Sequence, residues 1–198
     1  RPILEVLRQP LEDGEVTISR VSASLSYPAK FMLIAAMNPC PCGYHGDSSQ
    51  QCSCGPGDIR RYLKKISGPL LDRIDIHINV PRLQYKEIAG DTPSETSSVI
   101  GMRVGQARSI QQARLAKYSL YCNAQMSHRH LKSTCRLSDD ARQLLSQAFT
   151  KMNLSARGYD RILKVARTIA DLAGEADISV RAVAEAIHLR NNIKETML

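Results

Sequence analysis

The sequence predicts an α/β segment followed by an all-α segment. Val16 to Val21 alternates as a strand should, and Phe31 to Ala36 is a near-continuous apolar run. A run of that kind belongs to a strand covered on both faces of a parallel sheet. Beyond residue 96, apolar positions recur at helical spacing behind serines able to cap helix N-termini. Between the two, Glu87, Gly90, Asp91, Thr92, Pro93 and Ser94 read as a linker. The expected organisation is an α/β part over 1–82, a linker over 83–96 and a helical part over 97–198.

In chain order, Ile3, Leu4, Leu7 and Leu11 space out a first helix, and Glu12-Asp13-Gly14-Glu15 turns it into the Val16–Val21 strand. Ser22 to Pro28 reads as a polar return, Phe31 to Ala36 as the buried strand. After a cysteine-rich loop, a helix is expected from about Gly57 to Ile66. Its Ile59, Leu63 and Ile66 share a face, while Arg60, Arg61, Lys64 and Lys65 fall elsewhere. Ile74 to Val80 reads as the next strand, closed by Pro81. Ser97 or Ser98 can cap a helix carrying Ile100, Val104, Ala107 and Ile110. Ser138 precedes Asp139 and Asp140, which suit the positive end of a helix dipole, and then Ala141, Leu144, Leu145 and Ala148. Ser155 opens a third helix with Ile162, Val165, Ala166 and Ile169, ending at Gly174; Ser179 opens a fourth with Val183, Ala184 and Ile187.

A length of 198 residues allows one or two domains, each able to bury a core. The 43% hydrophobic and 23% charged content is that of an ordinary soluble globular protein. No apolar stretch approaches the roughly 20 residues of a membrane helix, so no membrane partner is expected. A net charge of +8 and a pI of about 9.3 point to a polyanionic partner, because clustered cations release phosphate counterions; a basic surface that serves solubility is the alternative. With no Trp and 2 Phe there is no base-stacking platform, so nucleic-acid binding would track phosphates and depend strongly on salt.

Three phrases are specific: Met37-Asn-Pro-Cys-Pro-Cys-Gly43, Leu70-Leu-Asp-Arg-Ile-Asp75 and Ser155-Ala-Arg-Gly-Tyr-Asp-Arg-Ile-Leu-Lys164. Together they resemble the back half of an AAA+ ATPase, more narrowly the magnesium-chelatase-like branch of ComM/YifB type, over nearly the whole chain. The resemblance implies the C-terminal part of an AAA+ α/β core followed by a helical lid. The G-x-x-x-x-G-K-[ST] phosphate loop (Walker A) does not occur, nor does an apolar run ending in Asp-Glu (Walker B) to hold magnesium. The chain opens at Arg1 within an apparent helix. The expectation is a C-terminal portion of a longer protein, unable by itself to bind ATP tightly or hydrolyse it. ATP and Mg2+ would belong to the intact protein.

Asn38 follows the apolar run, where open α/β sheets place ligands. By resemblance it is the sensor-1 residue, orienting water and reporting the γ-phosphate; otherwise it is a turn residue before Pro39. Arg73 resembles an arginine finger that completes the neighbouring subunit's site, a role worth roughly 10³ to 10⁵ in turnover. Its alternative is an ion pair with Asp72 or Asp75. Arg157 resembles the sensor-2 arginine, acting in cis or in trans on the nucleotide; otherwise it is solvated on a basic helix with Arg161, Lys164 and Arg167. Cys40, Cys42, Cys52 and Cys54 can surround one structural zinc ion, with His45 able to replace one of them; two disulfides or free thiols are the alternatives. Cys122 and Cys135 read as ordinary helix-face residues, and His128 and His130 as surface residues. Arg20, Lys30, Arg60, Arg61, Lys64 and Lys65 are candidates for a nucleic-acid path or a subunit interface, or simply a solvated face. In related motors the segment bearing Arg20 forms a hairpin that faces the central pore.

The resemblance implies a cytoplasmic ATPase assembled into a ring, expected to be a hexamer, and acting as a DNA motor or branch-migration helicase. One alternative is the chelatase-type motor subunit for metal insertion, against which the cysteine loop argues. The other is a non-enzymatic, zinc-stabilised nucleic-acid-binding module, which leaves Asn38, Arg73 and Arg157 unexplained.

Overall fold

Pro10 divides the first helix. It has no N–H to return to Val6, and the turn at Leu7 separates α1 (Pro2–Val6) from α2 (Arg8–Asp13). The computed structural model describes residues 2–47, 49–83, 85, 89–90 and 94–197, and no side chain beyond residue 190. Two units emerge: residues 1–74, 80–82 and 194–198 in the first, and 75–79 with 83–193 in the second.

In the first unit, Gly14 ends α2 with φ of +69°, a left-handed conformation that a side chain would strain. The chain then forms an antiparallel hairpin of β1 (Glu15–Arg20) and β2 (Ala23–Pro28). The polar return expected over 22–28 is thus mostly a strand. The register explains it. Thr17 faces Ser26 and Ser19 faces Ser24, so hydroxyls meet across one side at 3.5 and 3.0 Å. Val16 with Tyr27 and Ile18 with Leu25 occupy the other. The tip residue Val21 is fully exposed.

The strand expected over Phe31–Ala36 forms no ladder among the described residues. Phe31, Met32, Ile34 and Met37 stay exposed. Apolar composition marked a segment suited to cover on both faces, but a ladder also requires a neighbouring strand, and none pairs with this run among the described residues. Beyond the cysteine loop, α3 (Pro56–Leu63) starts at Gly55 with Pro56 at its first position, and buries Leu63. The short α4 (Gly68–Leu71) follows, capped by the Ser67 hydroxyl, which accepts from Leu70 N–H at 3.3 Å.

The second unit is helical. α5 (Ser97–Leu115) is capped by Thr96 rather than Ser97 or Ser98. It buries Ala107, Gln111 and Leu115, whereas the expected inward residues Ile100, Val104 and Ile110 are exposed. A helix not read from the sequence, α6 (His128–Thr134), is closed by reciprocal Ser127 and His130 bonds. α7 (Asp139–Lys151) and α8 (Ala156–Leu172) start at Ser138 and Ser155, whose hydroxyls accept from Ala141 N–H at 3.3 Å and Gly158 N–H at 3.0 Å. α9 (Val180–Met197) follows Ser179. Ahead of α7 and α9, Leu137 and Ile178 form a parallel bridge, so both helices leave one short clasp. Leu115, Met126, Leu131, Leu145, Ile162, Ile178 and Val183 form the core around α8. Each fully buried side chain of this size contributes about 1.5–3 kcal/mol.

Within that core lies a polar cluster. Arg167, expected on a solvated basic face, has no exposed surface. Its Nε donates to Asp171 at 3.0 Å and its two terminal nitrogens to the carbonyls of Ala176 and Glu175 at 2.7 and 2.6 Å. Arg114 grips both Asp171 oxygens at 2.7 Å, and Asn123 donates to Asp171 and Thr168. The fork of Arg114 on the carboxylate, with all three Arg167 nitrogens bonded, is what allows Arg167 to be buried here.

Residues 75–79 belong to this unit and form no strand ladder, against expectation. His77 is buried; its N–H donates to Leu189 O at 2.7 Å and its Nδ1 lies 3.2 Å from Arg190 O. Asp75 accepts from Arg161. Among the described residues, no helix is long and apolar enough to cross a membrane.

Candidate functional site

The residues that end the Phe31–Ala36 run lead directly into the cysteine loop. Gly43 and Gly46 adopt φ of +87° and +81°, which lets the loop reverse within a few residues. Asp47 accepts from Ser49 N–H and Oγ, both at 2.6 Å, and from Gln50 N–H at 3.1 Å. The Ser49 bonds hold its carboxyl below the usual range. These turns bring the Sγ atoms of Cys40, Cys42, Cys52 and Cys54 within 4.8 Å of one another. Cys40 lies 3.3 Å from Cys42 and 3.7 Å from Cys52, and Cys42 lies 3.5 Å from Cys52. A tetrahedron with metal–sulfur bonds of about 2.3 Å has edges of about 3.8 Å. The four sulfurs can therefore hold one tetrahedral metal ion. None of the cysteines is joined in a disulfide.

Backbone amides shape the chemistry of these thiols. The N–H of Tyr44, joined by that of Ser53, draws Cys42 down to about 5 against the effect of burial. Burial and the Cys42 contact raise Cys40, yet the N–H groups of His45 and Gly43, with Cys52, bring it below the ordinary thiol value. The N–H of Cys54 favours charge on Cys52, and the N–H of Cys42 favours charge on Cys54. Burial, the side-chain contacts with Cys42 and Cys40, and the charge of Cys40 nevertheless push Cys52 up and Cys54 up to about 12. A divalent cation among the four sulfurs would favour the thiolate form of each. His45, an alternative ligand from the sequence, is exposed and enters this arrangement through its backbone N–H.

Asn38 stands beside this loop. A Cβ placed on Gly43 would lie 3.7 Å from Asn38 Nδ2 and 3.9 Å from its Cγ, so the amide rests over the glycine. Arg73 sits elsewhere in the first unit, with only 12% of its side chain exposed. Its Nε faces Glu12 at 3.2 Å and donates to Arg8 O at 3.1 Å, and its Nη1 donates to Pro69 O at 2.6 Å. Its acidic partner is thus Glu12, whereas Asp75 pairs with Arg161 in the second unit. Arg157 is exposed in the first turn of α8. Arg20 is exposed at the end of β1, Lys30 is exposed after β2 beside Gly14, and Arg60, Arg61, Lys64 and Lys65 are exposed on and just after α3. Arg61 lies 3.9 Å from Asp58, and Lys65 sits over the Tyr62 ring.

Glu12 and the cluster of Arg114, Asn123, Arg167 and Asp171 were not singled out from the sequence. Arg167 and Asp171 at i and i+4 look like any surface ion pair, and the carbonyls that bury them come from a later turn. Cys135, read as a helix-face residue, is buried at the end of α6, where burial pushes its thiol up and leaves it inert. Cys122 precedes a short 3₁₀ turn rather than lying on a helix. His128 is exposed and meets Asp160 at 2.8 Å.

Residues 1–88 match the family model described as magnesium chelatase, subunit ChlI, and residues 94–190 match the model of that subunit's C-terminal part. These models imply an AAA+-related fold, with which the hairpin and helices of this chain are consistent. Competence protein ComM of Haemophilus influenzae is 42% identical over 196 residues, covering 98% of this chain and 37% of that protein. An uncharacterized protein YifB of Escherichia coli is 36% identical over 192 residues, covering 96% of this chain and 37% of its own length. An uncharacterized protein of Mycobacterium tuberculosis is 40% identical over 187 residues, 94% of this chain and 37% of that one. The chain belongs to the ComM/YifB-type magnesium-chelatase-like family. It spans little more than a third of the length of these curated relatives.

Proposed function

We propose that this chain is the C-terminal part of a ring-forming, hexameric AAA+ ATPase of the cytoplasm that moves along or remodels DNA, as a branch-migration helicase does. In this reading 1–82 is the C-terminal half of the α/β core, 83–96 a linker and 97–198 the helical lid. Residues 84, 86–88 and 91–93 of that linker lie outside the described residues. Asn38 orients the attacking water and senses the γ-phosphate, Arg73 completes the neighbour's site, and Arg157 couples the lid to the nucleotide. ATP and Mg2+ act in the intact protein. Zinc is the metal that four thiolates fit best.

The observation that carries the DNA reading is the exposed basic face of α3. Arg60, Arg61, Lys64 and Lys65 point outward while Leu63 is buried, beside the cysteine loop. Such a face suits a phosphate backbone, and the net charge of +8 supports it. For Arg73 to act in trans it must leave Glu12 and the two carbonyls, so assembly or nucleotide would have to outcompete those bonds.

The test is ATP hydrolysis by the full-length protein with and without single-stranded and branched DNA, beside Arg73→Ala. A DNA-stimulated rate that falls by at least about 10³-fold in the variant is the expected outcome. Hydrolysis that depends on Arg73 and ignores DNA would move the assignment to a chelatase-type motor for metal insertion. Salt-sensitive DNA binding without any hydrolysis would move it to a zinc-stabilised binding module.

A further inference from the structure

We propose that a zinc ion bound by Cys40, Cys42, Cys52 and Cys54 is the anchor that positions Asn38, so that metal occupancy governs the response to nucleotide. The positioning half rests on the reading of Asn38 as the phosphate-sensing residue; the metal half stands on the sulfur geometry alone. The measured sulfur separations of 3.3, 3.5 and 3.7 Å lie close to the edge of a tetrathiolate tetrahedron.

Two rigid links tie the centre to Asn38. The first is covalent. Only Pro39 separates Asn38 from Cys40, and the proline ring fixes its own φ while confining Asn38 to extended backbone. Cys40 is 1% exposed, so the near end of the link is the buried point of the loop. The second is a contact: Gly43, whose N–H donates to Cys40 O at 3.1 Å, presents its bare Cα to the Asn38 amide. Without a metal, the four converging sulfurs have no common partner. The loop has little apolar burial of its own to replace one: Cys40 is its single fully buried residue among those described. Loss of the ion therefore frees both links together.

The experiment uses the full-length protein loaded with cobalt(II), read by elemental analysis and by the visible bands of a tetrahedral thiolate site. One cobalt per chain with those bands is expected, and both should be lost in Cys52→Ser/Cys54→Ser. Hydrolysis of ATP should fall by about 10²-fold in that variant, the scale of a displaced positioning group. Asn38→Ala should show a similar fall with the cobalt bands unchanged. Cys52→His restores a fourth ligand, and recovery of metal and hydrolysis together separates the role of the ion from a folding defect. Wild-type protein without the bands, or a double serine variant that keeps its metal, overturns the centre. A metal-free serine variant that hydrolyses ATP at the wild-type rate overturns the positioning role and leaves the ATPase reading intact. Wild-type protein that binds cobalt but neither binds nor hydrolyses ATP overturns the positioning role and the ATPase reading, and leaves the metal centre standing.

Discussion

The two units of this chain hold themselves together by different means. In the second, α8 is wrapped by apolar side chains and closed by a buried cluster in which two arginines share one aspartate. In the first, fully buried positions are few: Pro10, Cys40, Leu63 and Leu70 stand out, while Phe31, Met32, Ile34 and Met37 face solvent. A long apolar run is therefore no measure of a core. What decides is whether neighbours exist to cover it, and in the first unit turns, capped ends and four convergent thiols take the place of cover.

Asp171→Ala tests that contrast most severely. It leaves two guanidiniums in the core without their counter-ion, and thermal unfolding should register a loss of about 3–5 kcal/mol. A loss under about 1 kcal/mol would mean that the cluster is wetter than its burial implies. Ser155→Ala is milder. It removes the hydroxyl that accepts from Gly158 N–H and should cost about 1 kcal/mol in the same measurement, a loss that Ser155→Asp should largely avoid. Smallest of all, Ile34→Ser changes a side chain that is 81% exposed, and the isolated 198-residue chain should lose no more than about 0.5 kcal/mol. If full-length protein instead lost several kcal/mol with Ile34→Ser, the run would be covered there, and the contrast would belong to this portion of the molecule alone.

The same contrast explains what could be read from the sequence. Helices α7, α8 and α9 were legible because each start has a local cause, a serine at the cap, and each buried face a local period. The β1 strand was legible for the same reason, but its partner was not. Ser22 to Pro28 looks polar until its serines are seen opposite Thr17 and Ser19. Phe31 to Ala36 and Ile74 to Val80 carry the composition of strands, and composition cannot supply a ladder. In the site, the close spacing of four cysteines announced the cluster, since its ligands lie within one loop. The Glu12 partner of Arg73 and the Arg114–Asp171 contact join residues distant in sequence, and no nearby residue signals either one. Arg167 misled because an arginine at helical spacing from an aspartate looks the same whether water or protein surrounds it.

The bridge between Leu137 and Ile178 bears on time as well as on shape. Individual helices form within about a microsecond, whereas this bridge must also bear the loop-closure entropy of the segment that holds α7 and α8, so it is expected to form after them. A contact made late is largely absent from the folding transition state. Weakening it speeds unfolding while leaving the folding rate nearly as it was. The two helices that leave this clasp thus owe it their lifetime in the folded state more than their ability to reach it.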